Sequence, residues 1–176
     1  MNIERNQLIE DLKLFSLKKG EDFILSSGQK SDIYIDVKKT MLYGPAMHNL
    51  AKLLHGTAQM FGYYDMVAGV PLGGSHLATM VAMFHPPTGV VLLRKEAKGH
   101  GTQQLVETPG DFSGNKIILF EDVITTGQSV IKAANILEDY GLDIRGIVAV
   151  VDRRLEKAPT LGDYGFRAVV DFEELV

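Results

Sequence analysis

Five short runs of apolar residues, rich in valine and isoleucine, set the strongest limit on the fold. They are DMVAGV (65–70), VVLLR (90–94), KIILF (116–120), IRGIVAVVD (144–152) and FRAVVDF (166–172). Their apolar residues follow one another without a polar alternation, the mark of strands covered on both faces. Helix-like stretches separate several of them, notably SHLATMVAMF (75–84) and SVIKAANILEDYG (129–141). Strands alternating with helices predict an α/β fold with a central, mostly parallel sheet flanked by helices. Such sheets place ligands beyond the carboxyl ends of their strands. The chain just after Val70, Leu93 and Phe120 is therefore where a site is expected.

The rest of the chain fits around that sheet. Residues 3–18 read as an amphipathic helix with Leu8, Ile9, Leu12 and Phe15 on one face. FILSSGQKSDIYIDVKK reads as two short strands around a Ser-Gly turn, and residues 43–61 as a second helix. Residues 97–115 are polar and glycine-containing, with Leu105, Val106 and Phe112 as the bulky apolar residues. A stretch of this kind in a compact domain is a candidate lid. No internal repeat, low-complexity segment or interdomain linker interrupts the pattern, and 176 residues suit a single domain, 1–176.

Composition removes several classes of function. The chain has no cysteine, which excludes disulfides, zinc-thiolate sites and cysteine nucleophiles and accords with a reducing cytoplasm. A net charge of -4 argues against general nucleic-acid binding. The N-terminus MNIERNQLIEDLK is too charged for a signal peptide. The apolar runs fall well short of the ~18 residues of a membrane span. The expected setting is the cytoplasm, with neither nucleic acid nor membrane as partner.

The segment KIILFEDVITTGQSVIKAANIL (116–137) reads as strand, loop and helix, the loop running from about Glu121 to Gln128. Helix starts leave N–H groups unpaired and carry partial positive charge. With Thr125, Thr126, Gly127 and Ser129 nearby, this one makes a phosphate cradle. It lacks the lysine of a nucleotide P-loop. Glu121 and Asp122 would repel a phosphate alone but would accept hydrogen bonds from sugar hydroxyls, so a sugar phosphate suits both halves of the loop. The plain alternative is two acids in the first turn of a helix, favoured by its dipole.

FEDVITTGQS resembles the phosphoribosyl-diphosphate (PRPP) motif of the type I phosphoribosyltransferases: an apolar strand, two acids, a Thr/Ser/Gly loop and a helix start. LLRKEAKGHGTQQLVE resembles the signature of the orotate phosphoribosyltransferases. SSGQKSDIYIDVKK is similar to their N-terminal hood, GVPLGGSHLA to their diphosphate loop, and VVDRRLE to their Asp-Arg segment. The resemblance runs in order from about Ile3 to Phe172. It implies the type I phosphoribosyltransferase fold with a small hood, about residues 1–40, over the core. It implies transfer of ribose 5-phosphate from PRPP to orotate, with Mg2+ held mainly by substrate oxygens and no protein ligand assigned. It also implies a homodimer whose lid reaches the neighbour's site.

Residue by residue, the resemblance places catalysis on Lys98, His100 and Asp122. PRPP binding falls to Arg94, Lys95, Lys98 and His100, and to the stretch Glu121, Asp122, Val123, Ile124, Thr125, Thr126, Gly127, Gln128 and Ser129. Orotate falls to Thr125 and Arg153. The chemistry agrees, because four cationic or potentially cationic groups on one segment offset the charge of a departing diphosphate. Other readings stand beside these: RKEAKGH as a solvated charge run, Arg153 and Arg154 as strand-end surface charges, and His48, His55, His76 and His85 as structural or surface residues. The chain departs from better-known bacterial relatives at Ser26, Ile35, Leu72-Gly73 and Ser75-His76, which bear on base and diphosphate contacts. A transferase for another base would share EDVITTG without RKEAKGHG. A PRPP-sensing regulator would need a nucleic-acid surface, and a catalytically weak PRPP-binding relative is a further alternative.

Overall fold

A computed structural model describes residues 2–24, 30–85, 89–95 and 105–176. The chain opens with helix α1 (Asn2–Asp11), which continues into a π-helical turn (Leu12–Ser16). Strands β1 (Leu17–Ile24) and β2 (Lys30–Ile35) pair antiparallel as a separate two-stranded sheet, and helices α2 (Val37–Met41) and α3 (Gly44–Gln59) follow. Next come β3 (Met66–Gly69), α4 (Gly73–Phe84), β4 (Gly89–Leu93) and the short β5 (Val106–Glu107). The chain then forms β6 (Lys116–Ile124), α5 (Gln128–Asp139), β7 (Asp143–Asp152), β8 (Thr160–Leu161) and β9 (Tyr164–Asp171). A 3-10 turn, Phe172–Glu174, follows.

The main sheet has the order β5-β4-β3-β6-β7-β9-β8. Its five inner strands are parallel, and β5 and β8 close the edges antiparallel. Apolar side chains point alternately to either face. Ile118 and Phe120 join a core with α1, α3 and α4, whereas Ile117 and Leu119 join one with α5. All four are fully buried, which is why the sequence shows a continuous apolar run in place of alternation. Leu8 and Leu12 of the N-terminal amphipathic face are also fully buried.

Two expectations need correction. The loop after KIILF does not begin at Glu121. Strand β6 runs on to Ile124, with Glu121 opposite Ala149, Val123 opposite Val151 and Ile124 opposite Asp152 of β7. The acids are therefore strand residues, not first-turn helix residues, because β7 is long enough to keep pairing beyond the apolar run. The polar stretch 97–115 is also not all loop: Val106 and Glu107 pair with Leu93 and Leu92, and Val106 is buried.

Candidate active site

The carboxyl end of β6 and the start of α5 enclose a cavity of about 250 Å³, lined by Glu121 and by residues 123–130. Gly127 makes the turn into α5 with a φ of 79°, a left-handed conformation that suits glycine. A Cβ there would also lie 2.5 Å from Leu161 Cδ1 of β8. The Gln128 N–H donates to Thr126 Oγ1 at 3.4 Å. Thr126, Gln128 and Ser129 are exposed, Thr125 is partly so, and Ile124 is buried. The result is an open helix N-terminus facing a small polar-rimmed cavity, suited to a phosphate.

The two acids serve different surroundings. Glu121 lines the cavity and is 8% exposed. Burial, and then the adjacent Asp122, push its carboxyl up to about 9, so it carries a proton at neutral pH. One of its oxygens accepts the Asp122 N–H at 3.0 Å. Asp122 instead faces the start of α4. Its Oδ1 accepts the Val123 N–H at 2.8 Å, and its Oδ2 lies 3.6 Å from Lys38 Nζ. The site thus holds one neutral acid and one ion-paired carboxylate.

The glycines of GVPLGG bring these elements together. A Cβ on Gly73 would lie 2.2 Å from Asp122 Oδ2, and one on Gly74 would lie 2.2 Å from the Phe120 carbonyl oxygen. The start of α4 therefore packs directly on the end of β6. The intervening Leu72 is 57% exposed beside that junction.

The remaining residues named from the sequence divide into three groups. Lys98 and His100, with Ser26, lie outside the described residues. Arg94 follows β4 and is bound through Nε to Glu107 Oε1 at 2.6 Å, while Lys95 is exposed. Arg153, just past β7, reaches β2. It donates to Ser31 Oγ at 2.8 Å and to the Ile33 carbonyl at 3.2 Å, and its guanidinium lies 4.3 Å from the Phe172 ring centroid. Arg153 thus joins the hood strand to the end of the main sheet and is no free surface charge.

Arg154 is not a surface charge either. It is buried, bonded to Asp152 through Nε and Nη2, and bonded to the carbonyls of Ala158 and Thr160. Sequence reasoning also missed Lys38, Glu107 and Ser31, whose roles come from contacts between distant segments. Among the four other histidines, the His55 and His85 rings meet tilted with centroids 5.2 Å apart, and His48 meets Phe84 edge-on. A larger groove of about 670 Å³ lies between α1, α3 and β9 and includes none of the Glu121–Val130 residues. Most of its cations are already paired, Arg5 with Glu174, Lys52 with Glu4 and Lys157 with three carboxylates.

A parallel sheet with an acid pair at a strand end, beside an open helix start, defines the phosphoribosyltransferase class. The phosphoribosyl transferase domain family matches residues 38–170. An orotate phosphoribosyltransferase of Thermococcus kodakarensis is 43% identical over 156 residues, covering 87% of this chain and 83% of its own. Among solved structures, the orotate phosphoribosyltransferase of Mycobacterium tuberculosis in complex with Fe(III) dicitrate superposes with a TM-score of 0.81 at 28% identity, over 98% of both chains. The same enzyme in complex with PRPP gives a TM-score of 0.77 at 25% identity, again over 98% of both. The chain belongs to the orotate phosphoribosyltransferases.

Proposed function

We propose that this chain transfers the phosphoribosyl group of PRPP to N1 of orotate, giving orotidine 5'-phosphate and diphosphate. The observation that carries the reading is the meeting, at the end of β6, of the adjacent acids Glu121 and Asp122 with the open helix start at Gly127–Ser129, whose cavity Glu121 lines. The N–H groups there hold the 5-phosphate. Asp122 accepts from a ribose hydroxyl, and protonated Glu121 both donates and accepts. As the bond from C1' to the diphosphate oxygen breaks, its electron pair leaves with the diphosphate. The N1 lone pair of orotate then forms the new bond to C1', and N1 gives up its proton to solvent. Arg153 exchanges its Ser31 contact for the orotate carboxylate, and Thr125 contacts the base beside it. Arg94, Lys95 and Lys98 offset the charge of the departing diphosphate, His100 donates a proton to it, and their segment excludes water from C1'.

Among the described residues no three His, Cys, Asp or Glu side chains converge as a metal site. The donor chemistry suits magnesium held largely by substrate oxygens and water, with Glu121 and Asp122 bonded to those hydroxyls and waters. When bound, the ion supplies positive charge to the leaving diphosphate. The reading extends to one domain, 1–176, with a hood of about 1–40, to a cytoplasmic homodimer and to a lid acting in trans. No helix among the described residues is long and apolar enough to cross a membrane.

The test follows orotate absorbance with PRPP and magnesium, with adenine, guanine, hypoxanthine, xanthine and uracil as parallel acceptors. Orotate loss that requires PRPP is the expected result. Turnover of another base alone would reassign the acceptor, and turnover of none would leave a PRPP-binding relative.

A further inference from the structure

Lys38 lies in the hood-like segment SSGQKSDIYIDVKK, where the resemblance assigns it no role, yet it meets the acid pair. It sits in the five-residue helix α2, between the hood strands and α3. Its ammonium lies 2.6 Å from Asp36 Oδ1, at the start of its own helix, and 3.6 Å from Asp122 Oδ2. Asp36 anchors the side chain, and Asp122 receives it. Asp122 is confined on its other sides as well: Oδ1 accepts the Val123 N–H at 2.8 Å, and Oδ2 lies against Gly73, where a Cβ would come within 2.2 Å. Only 19% of the Asp122 side chain is exposed, so it sits largely desolvated beside a buried second acid. Two adjacent carboxyls in such a site cannot both ionise without a cation at hand.

We propose that Lys38 is a positioning residue for PRPP, holding Asp122 as an oriented carboxylate toward the ribose and tying the segment beneath the hood to the end of β6. This rests on the transferase reading of the site. Lys38 faces the acid pair, and its own neighbours are Asp36 at the start of α2 and Tyr34 of β2. The Lys38 ammonium also draws the Glu121 carboxyl down against its burial. Lys38→Arg keeps the charge, and Lys38→Gln removes it while leaving a shorter polar side chain.

The experiment has two arms on intact protein, using Lys38→Gln and Lys38→Arg, with thermal unfolding to verify that each is folded. The first arm follows the carboxyl carbons of Glu121 and Asp122 by NMR as a function of pH, without substrate. Lys38→Gln is expected to move the Glu121 midpoint up, and Lys38→Arg to restore it. The second arm measures PRPP binding with magnesium by calorimetry. Lys38→Gln is expected to weaken it about tenfold, and to add nothing in an Asp122→Asn background.

An unchanged Glu121 titration in Lys38→Gln overturns the role of Lys38, as does an equal PRPP loss with and without Asp122. The second result would mean that Lys38 contacts PRPP directly. Failure of the wild-type protein to bind PRPP overturns the transferase reading and the ribose role with it. The titration arm distinguishes the two failures, because it needs no ligand.

Discussion

At the residue scale, Glu121 links the site to stability. Its ordinary value is 4.5, and in the fold burial and Asp122 raise it to about 9. The folded state therefore holds this proton more tightly than the unfolded chain. The associated stability is complete below 4.5 and is lost as pH rises toward 9. Glu121→Gln removes the titration, so it should stabilise the substrate-free protein increasingly across that window. A gain of at least about 1 kcal/mol is expected at pH 8, or about 2–4 °C in Tm, with much less at pH 5. Equal Tm differences at both pH values would refute the buried acid.

Arg154 makes a second residue-scale case. Its side chain is 9% exposed and that of its partner Asp152 is 5% exposed. Removing one member of a buried pair strands the other's charge, so Arg154→Met should cost about 3 kcal/mol in denaturant unfolding. Lys157, 3.8 Å from Asp152 Oδ1, limits the loss. Asp122→Asn belongs to the site. It should weaken PRPP binding in calorimetry by about 1–3 kcal/mol while leaving Tm nearly unchanged.

At the scale of elements, the junction of α4 with β6 decides the site's shape. Gly73 and Gly74 are adjacent, but an added methyl meets different obstacles: a carboxylate at Gly73 and a backbone carbonyl at Gly74. A side chain rotates away, whereas a strand carbonyl in a seven-stranded sheet does not. Gly74→Ala should therefore lower stability by about 1–3 kcal/mol. Gly73→Ala should fold but displace Asp122, and its loss should appear in PRPP affinity before it appears in Tm. Paired unfolding and calorimetry curves test the contrast, and equal destabilisation of the two variants would contradict it.

At the scale of the whole molecule, the proposed dimer with a lid acting in trans makes a complementation prediction. Lys98→Ala and Asp122→Asn should each be nearly inactive alone. Mixed under conditions of subunit exchange, they should recover about a quarter of wild-type activity, since half of the dimers are mixed and each holds one intact site. No recovery after verified exchange would assign lid and acids to one chain.

The sequence by itself determined the parallel sheet, because strands buried on both faces must be written as unbroken Val/Ile runs. It also determined the phosphate loop, because Thr, Gly and Ser at a strand-to-helix turn are local chemistry within one short segment. It could not place the end of β6, since Glu121 and Asp122 look like loop residues until β7 is seen pairing beside them. Nor could residue chemistry alone separate Arg153 from Arg154, a choice that rested on the family resemblance. Neighbours in sequence, they point one toward the hood and the other into a buried ion pair. Lys38 was invisible for the same reason, as its meaning depends on a carboxylate that only folding brings to 3.6 Å. Local propensity and burial are recorded along the chain, whereas charge pairing between distant segments exists only in the tertiary structure.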